Sequence, residues 1–484
     1  MSDALGAALN ATTPPLDAGA RGKRLAKFRP ARSHINGAIM ASGRTVLDRA
    51  RYLTRNNPYA SNGTEYYAAQ LVGAGIAPAW RTRKAELERA WLRWTDEADA
   101  EGLTDFYGMQ RRAARELFIA GEVFFRVRMR RPEDGLSVPL QLQMLPSEML
   151  PVEDNRTLAG GNTVRAGVEF DLIGRRVAYW FYRAHPDDPT MQSRASGEQV
   201  RVPAEQVLHI LDPVEAGQIR GLSMMAPGIV KLWLLDLYDD AELDRKRTAA
   251  LFTWFEVSPD AEGLGLGETD EGDGTGTLEL APGAGIRLPP GADVRFATPA
   301  DVGGNYEAFQ YRNLCAAAAA VGLPYAGLTG DLTKVNYGSL RGGEVAFRRR
   351  AEATQHSVLI HQLCRRVGEM WMAQAVLAGA IDGLTPAAFQ AERAQLLPIP
   401  WAPPKWDWID PLKDIKADRE EVEAGFASRS AQIRRRGFDP EQVDAERAAD
   451  MERERSLGLP TATDAGAPIQ AETSQAAAPD GMPE

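Results

Sequence analysis

Cysteine is nearly absent: Cys315 and Cys364 are the only two in a chain of 484 residues. Two thiols are too few for a disulfide framework or a four-thiolate zinc site. Each falls in an apparent helix, where it packs as a small apolar residue, and the balance suits a reducing cytoplasm. Histidine is scarce too, with five residues at 34, 185, 209, 356 and 361. His356 and His361 are five apart, about 140° from each other on an α-helix, whereas a zinc pair needs i,i+4 spacing. "HPDDP" (His185–Pro189) reads as an exposed turn between strands. Long apolar runs are missing, so neither a membrane span nor a secretory signal is expected.

The motifs of nucleotide and acyl chemistry are missing as well. "GDGTGT" and "GLTGDLTK" are glycine-rich, but neither continues into the G-K-[ST] that cradles a triphosphate. No G-x-G-x-x-G opens a helix after a strand, and no G-x-S-x-G elbow occurs. Carboxylates are abundant without a paired cluster. The expectation is a non-catalytic protein without metal or cofactor.

What is present is ordinary globular composition, 44% hydrophobic and 25% charged, enough material for two to four domains. The formal net charge is −10. Such a chain is a poor match for clamping DNA tightly, because phosphates are neutralised by Lys and Arg.

Residues 1–30 are polar and Ala/Gly/Pro-rich, an expected flexible arm. Helical periodicity runs from Asn36 to Val72, broken at Asn56-Asn57-Pro58 and closed by Gly73 and Gly75. It returns at Leu87–Trp94 and Phe106–Ala120. The period then changes: Gly121–Arg131, Leu140–Leu145, Gly167–Tyr182 and Gln206–Asp212 alternate or are rich in β-branched and aromatic residues. They predict strands, so the first part of the chain reads as α+β with a mostly antiparallel sheet.

A rod follows, "GLSMMAPGIVKLWLLDLYDDAELDRKRTAALFTWF" from Gly221, with Ser223 as cap and Pro227 in the first turn. Asp236, Asp239, Asp240 and Asp244 share one face as an acidic stripe, and Glu242–Lys246 and Asp244–Arg247 stand at ion-pair spacing. From Glu256 to Asp301 the chain is rich in turn formers, with short strands expected at Thr277–Leu280, Ile286–Leu288 and Val294–Phe296. A second helix starts at Tyr306, a Gly-studded loop with Lys334 and Arg341 spans Tyr325–Gly343, and a third long helix runs from Glu344 to Ala378 with a bend at Gly368. An extended Pro/Trp segment, Pro398–Asp414, leads to helices at Lys416–Ala424 and Ala427–Arg435, a last short helix, and a tail from Ser456 expected to be disordered. Such rods expose too much surface for a compact monomer. They gain burial when copies pack side by side in a ring.

In this order the chain resembles the lambda-like portal proteins of tailed bacteriophages. The stretches that carry the resemblance are "RARYLTRNNPYASNGTEYYAAQLVGAGIAP" (Arg49–Pro78), "AGEVFFRVRMR" (Ala120–Arg130), Glu215–Phe252, "VNYGSLRGGEVAFRR" (Val335–Arg349) and Trp401–Val443. Glu262–Gly274 departs from the family pattern as an acidic insertion.

The resemblance implies an α+β portal fold: wing 31–220, stem helices 221–251 and 305–324, a small β clip 252–304, a tunnel loop 325–343, a long helix and wing return 344–400, and a helical crown region 401–455. It implies a self-assembled ring of about a dozen copies at one capsid vertex, assembled in the host cytoplasm. Its implied partners are the terminase large subunit, head–tail connector or adaptor proteins, major capsid and scaffold proteins, and double-stranded DNA in the channel, with no membrane. Lys334 and Arg341 would touch phosphate, the alternative being helix capping or inter-subunit pairing. The four aspartates would line the lumen or pair between subunits. The rival readings are an oligomeric scaffold without a channel and a packaging-associated hydrolase.

Overall fold

The computed structural model describes residues 32–191, 197–251, 254–257, 285–288, 305–334, 336–404, 411–436 and 440–458, with four isolated positions before 32. The expected strands Thr277–Leu280 and Val294–Phe296, the acidic insertion, nearly all of the arm and all but the first residues of the tail lie outside them. The chain divides into two compact units, 1–401 and 402–484.

The first unit opens with α1 (Ile35–Asn56) and α2 (Pro58–Val72). Asn57 sits between them in extended conformation, and its side chain accepts from Ala60 N. With Pro58 at the first helical position, where no N–H is needed, the break is fixed locally. Two further helices, α3 (Lys84–Thr95) and α4 (Phe106–Ile119), precede the strands.

The strands form two antiparallel sheets rather than the expected one. β1 (Glu122–Met129) is flanked by β2 (Leu140–Leu145) and by a strand at Val207–Leu211. The second sheet runs β3 (Arg156–Thr157), β4 (Thr163–Arg165), β5 (Val168–Phe170), β6 (Arg176–Tyr182), β7 (Gln199–Pro203) in sequence order, and Val207–Leu211 is β8. Phe124 of β1 meets Phe181 of β6 edge-to-face at 5.2 Å in the core between the sheets, along with Tyr179 and Val168.

Then comes α5 (Ile229–Leu251). It starts later than expected from Gly221: Ser223 to Gly228 form tight turns, with Met225 N donating to Ser223 Oγ. Gly228 sits at the start of the rod in close approach to the return helix, where an added Cβ would lie 2.9 Å from Val321 Cγ1. At 23 residues the helix spans about 34 Å. β9 (Trp254–Val257) and β10 (Gly285–Leu288) pair in parallel, the latter on the expected Ile286–Leu288.

α6 (Asn305–Val321) returns, and the short α7 (Tyr325–Thr329) follows it. α8 (Tyr337–Thr354) starts seven residues before the expected Glu344, so much of the anticipated loop is helical. It runs into a π-helical stretch, Gln355–Cys364, and on into α9 (Arg365–Leu377). The π geometry corrects the His356–His361 reading. With i→i+5 bonds, residues five apart stand nearly one above the other, and both rings are exposed. Among the described residues no group of three or more potential ligands surrounds them. Buried Gln355 donates to Leu71 O at 2.8 Å, and Gln362 donates to and accepts from the Leu211 backbone, tying this segment to α2 and β8.

Gly368 falls inside a continuous helix. It is buried in α9 where an added Cβ would meet Ile399 and Trp401 at 2.9 Å. Trp91 packs edge-on to Trp371 at 5.0 Å and to Trp401 at 5.7 Å, closing the second core of this unit. α10 (Pro386–Leu396) lies between these segments in sequence. Cys364 is buried, as expected of a small apolar residue, and Cys315 is half-buried. The second unit contains α11 (Pro411–Glu423), α12 (Arg429–Arg435) and α13 (Pro440–Leu457), the last longer than expected. Among the described residues no helix is long and apolar enough to cross a membrane.

Candidate assembly and DNA-contact site

The site residues expected from the sequence fall on α5, on the turn before α8 and on α8 itself. The two rods are antiparallel: Lys231 donates to Asn313 Oδ1 at 2.9 Å, while nearer the other end Asp239 accepts from Tyr306 Oη at 2.9 Å and Gln310 Nε2 at 3.0 Å. Tyr238 stacks on Tyr306 at 6.0 Å and packs on Phe309 at 4.9 Å. Buried Ala317 and Ala318 have almost no side chain and allow close approach on the return helix. Both ion pairs read from spacing form, Glu242 with Lys246 at 3.8 Å and Asp244 with Arg247 at 3.5 Å.

The four aspartates do not share one environment. Asp236 accepts from Asn57 Nδ2 at 2.8 Å, which ties the rod to the α1–α2 break, and Asp239 is engaged across the hairpin. Asp240 and Asp244 are exposed. They continue a second stripe that the sequence reading passed over. Val230, Trp233, Leu234 and Leu237 follow helical spacing down one side of α5, and the last three are 43%, 57% and 46% exposed. These four large apolar side chains form an exposed stripe on the helix, with Trp233 edge-on to Tyr52 of α1 at 6.1 Å. The signal was available in the sequence as i, i+3, i+4, i+7 spacing. It was missed because nothing local distinguishes a face turned to the chain's own core from one turned outward.

Lys334 lies in the turn before α8 and Arg341 in that helix's second turn, both exposed. Lys334 pairs with Glu307 of α6 and sits 5.1 Å over the Tyr311 ring. The bond to Glu307 raises its ammonium above the ordinary lysine value. The turn is therefore fastened to the return rod.

A buried charge cluster anchors the root of the hairpin. Glu122, the first residue of β1, bonds Arg220 at 2.7 Å, His209 Nε2 at 3.0 Å, Ser147 Oγ at 2.6 Å and the Gly221 amide at 2.6 Å. Arg220 also donates to the carbonyls of Leu150 and Ala166. Arg176 lies 2.9 Å from His209 Nδ1. A guanidinium only donates, so Nδ1 must accept and Nε2 carries the proton to Glu122, the neutral imidazole. Burial lowers His209 to about 4. Burial alone would raise Glu122, but the Arg220 charge and the His209 bond outweigh it and hold the carboxylate well below its usual range. Glu122, Ser147 and Arg220 also line a small cleft of about 40 Å³ together with Arg44, Glu148 and Ser223. The cluster ties the first strand of the sheet to the backbone that leads into the stem.

The model of the phage portal protein, lambda family, matches residues 21–355. The chain belongs to that family. A probable portal protein of Halomonas phage phiHAP-1 is 30% identical over 461 residues, covering 91% of this chain and 87% of the relative. Portal protein B of Escherichia phage lambda is 21% identical over 90% of this chain and 89% of its own length. Among solved structures, a chain from the neck of a native gene transfer agent particle computed with C12 symmetry is 18% identical, with a TM-score of 0.41 over 87% of this chain and 99% of that one. As a portal-family member the chain is a bacteriophage structural protein, and the names of these relatives give no enzymatic activity.

Proposed function

We propose that copies of this portal-family chain assemble into a ring at one capsid vertex and form the channel through which double-stranded DNA is packaged and ejected, without catalysis by the chain itself. The observation that carries this reading is the exposed apolar stripe of α5, Val230, Trp233, Leu234 and Leu237, on a rod about 34 Å long; Trp233 meets Tyr52 of α1 edge-on at 6.1 Å and the stripe otherwise stays exposed. Identical neighbours about an axis cover such a face in a closed ring. Asp240 and Asp244, further along the same rod, then repeat around the ring, at the lumen or against the neighbour. A lumen lined by repeated carboxylates presents passing DNA with a wall that does not hold it. In this reading Lys334, on a turn braced by Glu307, and Arg341, in the helix that follows, are the phosphate contacts, and terminase and head–tail connector proteins dock at the segment between the rods.

Negative-stain imaging of the purified full chain tests this. Rings with a central hole about as wide as a duplex support it; compact particles without a hole overturn it.

A further inference from the structure

Arg126 and Arg128 on β1 and Arg130 just beyond its end form no ion pair with a carboxylate among the described residues. Arg126, Arg128 and Arg130 occupy alternate positions and so project from one face, about 6.8 Å apart. Arg128 Nε donates to Gln143 Oε1 at 3.0 Å and Arg130 Nε to Gln141 Oε1 at 2.8 Å. These amide oxygens orient the guanidinium groups without cancelling their charge. Arg126 has no carboxylate within ion-pair distance among the described residues, and its Nε is buried without a hydrogen-bond partner. Burial lowers Arg126, and burial followed by repulsion from Arg126 and Arg130 lowers Arg128. Both are signs of cations lacking a counter-charge. Arg126 and Arg128 open onto a cleft of about 400 Å³ between the two sheets, whose apolar walls include Leu145, Met149, Phe181 and Val200. Arg183 at its rim is already paired with Glu198.

We propose that this cleft is a binding site for an acidic polypeptide segment in extended conformation, with carboxylates at alternate positions meeting Arg126 and Arg128. Alternate side chains of an extended strand repeat at the same spacing as the arginines. Half-buried guanidinium groups recover their lost hydration best from bidentate carboxylates. Apolar walls and a cleft of this size admit a single extended chain, whereas holding a DNA duplex takes many Lys and Arg along its phosphates and this cleft offers two without a carboxylate partner. The site lies on the sheets, away from α5, α6 and the turn before α8, and stands whether or not the ring reading holds.

The test is fluorescence anisotropy of a labelled Glu-Val-Glu-Val-Glu-Val peptide with the full chain at low salt, against R126Q/R128Q. Expected is saturable binding that weakens at least tenfold in the variant. Binding unchanged in the variant, no binding to the wild type, or an equally tight single-stranded oligonucleotide overturns the proposal. Should the variant fail to fold, mapping phenylglyoxal modification on the wild type replaces it. The peptide is expected to protect Arg126 and Arg128, and unaltered modification there overturns the site.

Discussion

Asp239 of α5 accepts a hydrogen bond from the Tyr306 hydroxyl of α6 at 2.9 Å, and that contact holds the two rods together far from the sheets. Toward the root, Asp236 bonds Asn57. The hairpin is thus pinned at two heights, while the apolar stripe of α5 stays exposed apart from the edge-on contact of Trp233 with Tyr52 of α1. Tyr306→Phe removes the cross-hairpin bond and leaves the stacking on Tyr238. A bond of this kind contributes about 1 kcal/mol. Amides of 305–311 are expected to exchange roughly fivefold faster in the variant by hydrogen-exchange mass spectrometry, and unchanged exchange refutes the brace.

Acid should loosen the root of the hairpin. His209 is held neutral by burial, with its folded value lowered to about 4 from an ordinary 6.5. The unfolded chain therefore takes up a proton between these values that the folded chain refuses. The stability this contributes is complete above about pH 6.5 and is lost as pH falls toward 4. Glu122, held low by Arg220 and His209, adds its own loss below its ordinary value of 4.5. His209→Gln should flatten the dependence of the urea midpoint on pH between 6.5 and 4.5. An unchanged slope there contradicts the neutral assignment.

Gly121 separates α4 from β1 with φ at +79°, and a Cβ on it would lie 2.1 Å from Leu222 O. The backbone that leads into the stem passes directly over it. Gly121→Ala combines left-handed strain of about 1–2 kcal/mol with a backbone clash that cannot be relieved by a rotamer. A loss of roughly 3 kcal/mol or more should appear as insoluble protein or a much lower melting temperature. A variant melting with the wild type overturns this account of the α4–stem junction.

These sites differ in how far the sequence announces them. The α1–α2 break is written locally, since Asn57 and Pro58 act on their own backbone. The alternation of β1 and β2 likewise shows in the residues themselves. The split into two sheets was not legible, because it depends on Phe124, Tyr179 and Phe181 meeting across more than fifty positions. Nor was the Glu122 cluster: Glu122 reads as an outward strand residue until Arg220 and His209, both distant in sequence, reach it. The glycines from 338 to 343 read as loop, yet the chain is helical from Tyr337. The π-helical stretch carries no residue pattern of its own; its buried Gln355 finds its partner, Leu71 O, on α2.

For the proposed DNA contacts, Lys334→Ala with Arg341→Ala should leave the assembled particle unchanged while lowering the DNA retained in heads. Quantitative PCR of nuclease-protected DNA measures the second and imaging the first. If assembly itself collapses, the pair Lys334–Glu307 and its neighbours serve the interface between copies rather than the DNA.

The outward face of α5 carries the greatest weight, and sedimentation velocity on the full chain tests it most directly. Each of Trp233, Leu234 and Leu237 stands to contribute on the order of 1 kcal/mol when covered by a neighbour. The wild type is expected to sediment as a large closed assembly. Leu234→Asp with Leu237→Asp is expected to sediment as a single chain that keeps its helical circular dichroism. A wild-type chain that remains a stable, folded monomer on dilution and concentration alike would contradict the ring.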